Sequence, residues 1–284
     1  MLEKMIIGTV QFGLDYGVNT ATAKKMAQET CEEILDIAQA NNITKLDTAE
    51  IYGDSIDKIG HYQKSKTKFE ILSKFHTPEN VYATLTNSLQ RLYIDSYHTI
   101  LAHRSQDLLT NKDVQADLMR LKNEGLTRYI GVSIYTNEEF SQAIDSDYLD
   151  VIQFPFNLLD NYAQRGELMK RAKDAGKILH ARSVYLQGMF LKEFPLPAKL
   201  KPLEEYIQRL RMLSEQNEIS MPALCLEYVF SNDLIDNVVV GHHKPSQLQG
   251  NIDLIRNFKN GSYLREVNDI RVSVPELLSP RNWQ

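Results

Sequence analysis

The chain has 284 residues, of which 43% are hydrophobic, and its 32 basic and 37 acidic residues leave a net charge of −5. A chain of this length can bury one sizeable core or two small ones. Neither sign of charge forms a long run, which excludes a generic nucleic-acid or anionic-membrane surface.

Two further features bear on the compartment. The apolar run within residues 1–13 is too short for a signal peptide, and no stretch approaches the ~20 apolar residues of a membrane helix. Cys31 and Cys225 lie far apart in separate apolar segments, and we expect both to be buried thiols in a reducing compartment. A cytoplasmic protein is therefore expected.

Short runs rich in strand-forming residues recur along the whole chain. Most are apolar at consecutive positions, which is typical of strands covered on both faces. The predicted strands are 5–8, 44–49, 69–75, 97–103, 129–134, 150–157, 177–184 and 236–242.

The segments between these runs have the spacing of amphipathic helices. In the first of them, apolar residues recur at three- and four-residue intervals at Met26, Ile34, Leu35, Ile37 and Ala38. Thr77 is a predicted N-cap, with Pro78 at the first helical position. Gly125 and Gly176 are predicted to end two further helices, because glycine readily adopts the left-handed conformation that follows many helices.

The alternation of strands and helices predicts an α/β fold, a (β/α)8 TIM barrel, as a single domain over residues 1–284. Two helices, 203–217 and 222–231, fill the longer gap before the last strand. An open doubly wound sheet is the alternative. It normally carries a GxGxxG loop after its first strand, and the GTVQFG at 8–13 does not fit that pattern.

Four polar side chains fall at the ends of neighbouring predicted strands, where barrel enzymes place their chemistry. Asp47 ends the second strand, Tyr52 lies in the loop after it, Lys74 is near the end of the third and His103 ends the fourth. Taken singly, each has an ordinary structural explanation as a helix cap, a packed ring, a rim cation or a core histidine. Their joint placement at one rim favours a catalytic site.

The chemistry gives the four a shared role. A phenol has a pKa near 10, so it donates a proton poorly at neutral pH unless a nearby ammonium stabilises its anion. Lys74 is predicted to lower the pKa of Tyr52, with Asp47 holding the lysine charged, while His103 orients a substrate oxygen. Such a site protonates a carbonyl oxygen. Because no side chain donates hydride, a cofactor must supply it.

The sequence resembles the aldo-keto reductase superfamily over nearly its whole length. The motifs that carry the resemblance, in order, are GTVQFG, DTAEIYG, LSKF, LAHRSQD, GVS, QFPFN, RSVYLQG and VVVGHHKPSQLQGN. The resemblance implies that Asp47, Tyr52, Lys74 and His103 form the family's catalytic tetrad. It also implies that Tyr52 is the general acid and that hydride comes from NAD(P)H.

The same resemblance implies a cofactor site at the later strand ends. Ser133 and Gln153 match positions that bind the nicotinamide carboxamide, although Ile134 replaces a common asparagine. Arg182 replaces an aromatic ring that stacks on the nicotinamide in many relatives. The full set of expected cofactor-binding residues is Gly8, Thr9, Ser133, Gln153, Arg182, Ser183, Leu186, Gly188, Gly241, His242, His243, Lys244, Gln247 and Asn251.

The preference between the two nicotinamide cofactors depends on the last motif. Gln247 stands where NADP-specific relatives often have arginine, whereas Lys244, with His242 or His243, is placed to pair with a 2′-phosphate. We expect NADP(H) rather than NAD(H), with NAD(H) as the alternative. No metal is expected, because adjacent histidines rarely chelate one ion together.

The resemblance is greatest to a bacterial branch associated with sugar and surface-polysaccharide metabolism, which implies a small carbonyl or sugar-like substrate. Tyr16, Phe12, Phe156 and Trp283 are candidates for an apolar substrate wall, or for plain packing. A monomer or weak homo-oligomer is expected. Two other functions stay open: a nicotinamide-binding redox sensor that acts through a partner, and an unrelated barrel lyase or hydrolase.

Overall fold

The computed structural model describes residues 1–16, 25–76 and 79–283, and its strands form a closed parallel barrel. Each strand pairs in parallel with the next, and the last pairs with the first. The strands are β1 (Met5–Gly8), β2 (Lys45–Asp47), β3 (Glu70–Phe75), β4 (Tyr97–Ala102), β5 (Thr127–Ser133), β6 (Val151–Pro155), β7 (Ile178–Arg182) and β8 (Asn237–Gly241). All eight have bounds within two residues of the predicted ones, so the predicted (β/α)8 barrel is confirmed.

Helices follow the strands and cover the outside of the barrel. In the described residues they are α1 (Val10–Gly13), α2 (Gln28–Ala40), α3 (Ser55–Gln63), α4 (Val81–Leu92), α5 (Ser105–Leu109), α6 (Lys112–Asn123), α7 (Asn137–Ile144), α8 (Tyr162–Asp174), α9 (Glu204–Gln216), α10 (Met221–Phe230), α11 (Pro245–Arg256) and α12 (Tyr263–Val267). Short 3₁₀ turns cover Leu2–Lys4, Leu186–Leu191, Ala198–Leu203, Pro275–Leu278 and Pro280–Asn282. None of the described helices is both long and apolar enough to cross a membrane.

The helix predictions are confirmed where the structure describes them, except that α2 begins at Gln28 and so leaves out Met26, which was predicted to belong to it. The two helices expected before the last strand are α9 and α10. Gly125 and Gly176 follow α6 and α8 with φ of 73° each, the left-handed conformation that ends a helix. The predicted cap at Thr77 and Pro78 lies outside the described residues.

The core has two parts. One large layer lies between the strands and the helices, and it includes Cys31 and Cys225, which are buried free thiols as predicted. A separate small cluster, Ile6, Leu72, Leu101 and Val151, comes from alternate positions of β1, β3, β4 and β6. Because the outward positions of these strands contribute to the large layer, this second cluster fills the inside of the barrel.

Candidate active site

The inner cluster explains how polar residues reach the carboxyl-terminal rim. Side chains alternate between the two faces of a strand, so the residue two positions further on points to the same side. Lys74 follows Leu72 by two residues, His103 follows Leu101 and Gln153 follows Val151. The strands therefore carry these three polar groups to the top of the same interior that their apolar neighbours fill.

A buried ion pair lies at the centre of this rim. Lys74 and Asp47 are 2% and 3% exposed, and the ammonium donates to one carboxylate oxygen of Asp47. The other oxygen accepts a hydrogen bond from Nε2 of Gln153 at 2.8 Å, across the barrel from β6. Burial lowers the pKa of Lys74 and the charge of Asp47 opposes that shift. The carboxylate is thus satisfied on both sides, which a buried charge requires.

Tyr52 and His103 lie beside this pair. The Lys74 Nζ atom is 5.6 Å from the centroid of the Tyr52 ring. The rings of Tyr52 and His103 meet edge to face, with centroids 6.2 Å apart and an interplanar angle of 84°. The structure therefore brings together all four residues predicted from the strand ends.

The protonation of Tyr52 differs from the sequence-based expectation. Loss of solvent raises the pKa of Tyr52 well above its ordinary value, and the negative charge of Asp47 raises it further. The net shift is therefore opposite to the acidification expected from Lys74, whose ammonium is paired with Asp47. Tyr52 therefore holds its proton firmly in this structure.

His103 is neutral at physiological pH. Burial is the main cause that lowers its pKa to about 3, and the charges of Lys74 and Arg182 add to it. Its Nδ1 atom is buried and has no hydrogen-bond partner among the residues that the structure describes. A neutral imidazole carries one N–H donor and one acceptor, so His103 can orient an oxygen without adding charge.

Two glycines hold the loop that carries Tyr52. Gly13, the last residue of α1, lies so close to this loop that a Cβ atom there would collide with the backbone oxygen of Tyr52. Gly53 has φ of 56° and lies against the Gly13 carbonyl. Helix α1 therefore clamps the Tyr52 loop through backbone contact that side chains would prevent.

The residues predicted to hold the nicotinamide lie on the opposite strands. Ser133, which is 5% exposed, pairs in register with Gln153 on β6. Gln153 is fully buried, and its Oε1 has no partner among the described residues although its Nε2 is bound to Asp47. An unpaired buried acceptor is costly, so this oxygen is available to a ligand donor.

Arg182 ends β7 and contacts the loop after β5. It donates from Nη2 to the Ile134 carbonyl at 2.9 Å and from Nη1 to Ser183 Oγ at 3.2 Å. Its guanidinium carbon lies 4.1 Å from the centroid of the Tyr135 ring. The Ile134 side chain is an apolar group and is fully buried, so it cannot replace the hydrogen bond of the asparagine that is common at this position.

The segment after β7 has an unusual backbone. Ser183, Leu186, Gln187 and Gly188 have φ of 63°, 45°, 55° and 88°, a left-handed conformation that non-glycine residues rarely adopt. Nε2 of Gln187 donates to the Tyr16 hydroxyl at 2.9 Å, which joins this segment to the loop after β1. Such strain is often concentrated at functional sites.

Some predicted cofactor residues lie beneath the rim. Gly8 and Thr9 are buried, and the Thr9 hydroxyl donates to the Asp47 carbonyl at 3.0 Å. The Ser55 hydroxyl, in turn, donates to Thr9 Oγ1 at 2.9 Å. These contacts fix the end of β2 from below and leave no exposed surface of Thr9 for a ligand.

The remaining predicted residues lie at the end of β8 and the start of α11. His242 is 1% exposed, its Nε2 lies 3.0 Å from Nδ2 of Asn251, and burial lowers its pKa to about 3. The Tyr185 hydroxyl donates to Oδ1 of Asn251 at 2.8 Å. Gln247 accepts from the backbone N–H of His243 at 2.7 Å. Gly241, His243 and Lys244 are exposed, with Lys244 at the helix N-cap.

The candidates for an apolar substrate wall have separate environments. Phe12 and Phe156 are fully buried, and Phe156 stacks on Tyr228 with centroids 5.4 Å apart, so both are packing residues. Tyr16 is 40% exposed. The Trp283 indole donates to the Leu277 carbonyl at 2.8 Å, so its polar group is bound within the C-terminal tail, residues 275–283.

Three residues near the site were not predicted. Tyr135 lies two residues after β5, where it meets Arg182 and also Arg281 of the tail, whose guanidinium carbon is 3.7 Å from the ring centroid. His76 follows β3 and meets His103 edge to face at 5.6 Å. Tyr135 could have been predicted as a site residue, because it directly follows GVSI at the end of a predicted strand. The approach of Arg281 could not, because it depends on how the tail folds back.

Comparison with known proteins defines the class. A model of the Aldo/keto reductase family matches residues 4–265, and the chain therefore belongs to the aldo/keto reductase family. A solved aldo-keto reductase from Bacillus halodurans, in its holo form, has a TM-score of 0.77 at 17% identity, over 94% of this chain and 91% of that one. At this identity the likeness shows the shared fold alone.

Two curated relatives carry named activities. The chain is 24% identical over 218 residues to the NADH-specific methylglyoxal reductase of Escherichia coli (strain K12), a match covering 70% of this chain and 64% of that protein. It is 24% identical over 193 residues to the D-threo-aldose 1-dehydrogenase of Pseudomonas sp, covering 62% of this chain and 57% of that protein. Both matches span less than two thirds of the relative's own length.

Proposed function

We propose that the protein is an NAD(P)(H)-dependent carbonyl reductase, or the matching alcohol dehydrogenase, in which Tyr52 is the general acid. The observation that supports this proposal most directly is the convergence of Tyr52, His103, Lys74 and Asp47 at one rim of the barrel. The proposed substrates are sugar-like or small aldehydes and ketones. The methylglyoxal reductase and aldose dehydrogenase among the relatives favour that class.

The residues of this chain handle the proton. His103, neutral and with an unpaired ring nitrogen, hydrogen-bonds the carbonyl oxygen and aims it at Tyr52. Tyr52 keeps its proton until negative charge develops on that oxygen, because its pKa is raised. The Lys74 ammonium beside the ring then stabilises the phenolate, while Asp47 and Gln153 hold Lys74 in place.

The residues that would hold a nicotinamide cofactor lie on the opposite side of the rim. The unpaired Oε1 of Gln153 and the neighbouring Ser133 hydroxyl would hold the carboxamide, since an amide N–H needs such an acceptor. The left-handed segment from Ser183 to Gly188 would carry the pyrophosphate. When bound, the reduced nicotinamide supplies the hydride that attacks the carbonyl carbon.

We further propose that NADP(H) is preferred to NAD(H). Lys244 is exposed at the N-terminus of α11, where a cation and helix N–H groups favour a phosphate. His242 adds no charge because it is buried and neutral, so Lys244 and the exposed His243 would carry the contact. The NADH-specific relative makes NAD(H) the alternative.

The proposal also includes the domain organisation, the compartment and the oligomeric state of the enzyme. The protein would act as a single domain in the cytoplasm, as a monomer or weak homo-oligomer. The two buried free thiols fit a reducing compartment.

The experiment that tests the proposal replaces Tyr52 by phenylalanine. Tyr52→Phe should lower kcat by roughly 10²–10⁴, the usual weight of a general acid, because it removes only the hydroxyl. Cofactor affinity, measured by NADPH fluorescence titration, should change little. Tyr93→Phe, at a tyrosine that is 44% exposed on the outer surface, is the matched control. Reduction at the parent rate by Tyr52→Phe would refute the assigned role.

A further inference from the structure

Three side chains from distant parts of the chain meet beside the proposed active site. Arg182 ends β7, Tyr135 lies in the loop after β5, and Arg281 lies in the turn Pro280–Asn282. The guanidinium carbons of Arg182 and Arg281 lie 4.1 and 3.7 Å from the centroid of the same Tyr135 ring. We call these three residues the arginine cluster.

The cluster holds two positive charges, and no described carboxylate lies within ion-pair distance of either. Within residues 1–16, 25–76 and 79–283, neither arginine forms an ion pair. Arg182 donates only to neutral oxygens, those of Ile134 and Ser183. Glu139 lies nearby, but it accepts from the backbone N–H groups of Tyr135 and Thr136 at 2.6 and 3.0 Å, and from Ser105.

Another arginine stacked on tyrosine shows the contrast. Arg120 lies 3.8 Å from the centroid of the Tyr82 ring, and its Nε donates to Glu124 at 2.8 Å. In that stack the charge of Arg120 is neutralised by the carboxylate of Glu124. In the arginine cluster two like charges lie against one ring instead, and such an arrangement is stabilised when an anion enters between them.

The cluster lies at the rim that carries the reacting groups, because Arg182 ends β7 and Tyr135 follows the end of β5. The charges of Arg182 and Arg281 both contribute to the lowered pKa of His103, so they act on the imidazole that meets Tyr52. They also lower the pKa of Tyr135, with Arg182 the larger cause. An anion bound at the cluster would therefore lie at the same rim of the barrel as a carbonyl held by Tyr52 and His103.

We propose that the arginine cluster binds an anionic group, a carboxylate or a phosphate, on the carbonyl substrate, so that acidic aldehydes or ketones are preferred over neutral ones. This inference rests on the proposed carbonyl reductase function. Planar guanidinium groups suit such anions because they offer paired N–H donors. The cofactor's pyrophosphate is the other source of the same chemistry, and the experiment separates the two.

The kinetic test uses two matched pairs of aldehydes: succinic semialdehyde with butanal, and glyceraldehyde 3-phosphate with glyceraldehyde. In each pair we take the ratio of kcat/KM for the anionic member to that for the neutral member. Arg281→Gln should lower this ratio roughly 10- to 100-fold, the weight of charge-assisted hydrogen bonds, and Arg281→Lys should lower it less. Arg120→Gln is the matched control. A ratio within twofold of the parent would overturn the proposal.

The second readout does not need turnover. Trp283 is the only tryptophan in the chain and lies two residues from Arg281. Succinate and inorganic phosphate should change its fluorescence saturably in the parent, and roughly tenfold more weakly in Arg281→Gln. Equal titrations of the two proteins would overturn the site.

The remaining measurement separates the two sources of anion. NADPH and NADH affinities of Arg281→Gln should stay within twofold of the parent. A loss of cofactor affinity, with equal losses for the anionic and neutral aldehydes, would assign the cluster to the cofactor and overturn the substrate proposal. If the parent turns over none of the four aldehydes, the proposed function fails, and the Trp283 titration alone decides on the anion site.

Discussion

The protonation of the four rim residues is set by their surroundings more than by their chemical type. Burial raises the pKa of Tyr52, lowers that of Lys74 and lowers that of His103 to about 3. Each shift favours the neutral form, as loss of water does for any ionisable group. Asp47 opposes the shift of Lys74, so the resting site is a protonated phenol and a neutral imidazole beside one ion pair, Lys74 with Asp47.

The sequence could predict which residues meet, but it did not predict these states. Lys74 and His103 follow inner apolar positions by two residues, and this period is visible in the chain. The hydrogen bond from Gln153 to Asp47 spans 106 residues and depends on the closed barrel. The degree of burial, which decides the pKa directions, likewise becomes known only when the structure has formed.

Lys244 is the residue on which the proposed cofactor preference depends. Lys244→Ala should weaken NADPH binding by roughly tenfold or more, because it removes a charge-assisted contact with the 2′-phosphate. NADH lacks that phosphate, so its dissociation constant should change by less than twofold. Fluorescence titration with both cofactors measures the two effects. Lys199→Ala, at an exposed lysine on another segment, is the control.

Equal losses for NADPH and NADH would count against the 2′-phosphate contact. They would show instead that Lys244 acts on a part that the two cofactors share. The carbonyl reductase proposal would be unaffected, since it depends on Tyr52 and not on the choice of dinucleotide.

At the scale of elements, the short helix α1 determines where Tyr52 lies. Its last residue, Gly13, contacts the backbone of Tyr52, and Gly53 on the other side adopts a left-handed φ. The Lys58 ammonium also donates to the Phe12 carbonyl at 2.6 Å, which ties α1 to α3. The loop between β2 and α3 is thus held from two sides.

This clamp predicts an effect on activity from a residue that has no part in the chemistry. Gly13→Ala places a methyl group against the Tyr52 carbonyl, so the loop must shift. Displacement of a catalytic group by about 1 Å can cost about 10²-fold, and we expect kcat/KM to fall roughly 10- to 100-fold. Steady-state kinetics measure the loss, and NADPH titration should show that the cofactor still binds.

The control for this substitution is Gly250→Ala. Gly250 lies in α11, and no atom lies within 4 Å of the Cβ atom that alanine would add. The midpoint temperature of thermal unfolding of this variant should therefore equal that of the parent or be slightly higher, since alanine favours a helix more than glycine does. If Gly13→Ala retains parent kcat/KM, the clamp does not position Tyr52 and the contact is merely structural.

Elements were easier to predict than the contacts between them. Runs such as 97–103 are apolar and rich in β-branched or aromatic residues, so β4 was placed within one residue. Helix α2, in contrast, begins at Gln28, so the apolar Met26 precedes it although the spacing had included it. Periodicity reports which residues are buried, and a buried residue next to a helix continues the pattern without being helical.

At the scale of the whole molecule, the closed barrel makes distant segments neighbours. Tyr135 and Arg281 are separated by 146 positions, yet the guanidinium lies over the ring because the tail returns across the rim. No local pattern encodes this return. The contact exists only in the folded chain, which explains why the arginine cluster was absent from the sequence-based predictions.

The same closure buries three histidines in neutral form. Burial lowers the pKa of His103, His180 and His242 to about 3 in each case. His180 is fully buried inside the barrel, with its Nε2 3.2 Å from Nδ2 of Asn237. In the unfolded chain an imidazole has a pKa near 6.5, so unfolding in acid is accompanied by proton uptake at these residues.

This difference predicts how stability depends on pH. Between pH 6.5 and about 3 the unfolded state binds more protons than the folded state, so the free energy of unfolding falls as the pH falls through this range. Each such histidine contributes a slope of about 1.4 kcal/mol per pH unit. His180→Gln removes one of them. Its unfolding free energy, measured by denaturant titration from pH 6 to pH 4.5, should therefore decline less steeply than the parent's by about that amount.

The control for the pH experiment is His61→Gln, at a histidine whose side chain is 70% exposed on α3. The comparison uses slopes, because the loss of the contact between His180 and Asn237 lowers the unfolding free energy at every pH and leaves the slope untouched. A His180→Gln slope equal to that of His61→Gln would mean that His180 gains no proton on unfolding.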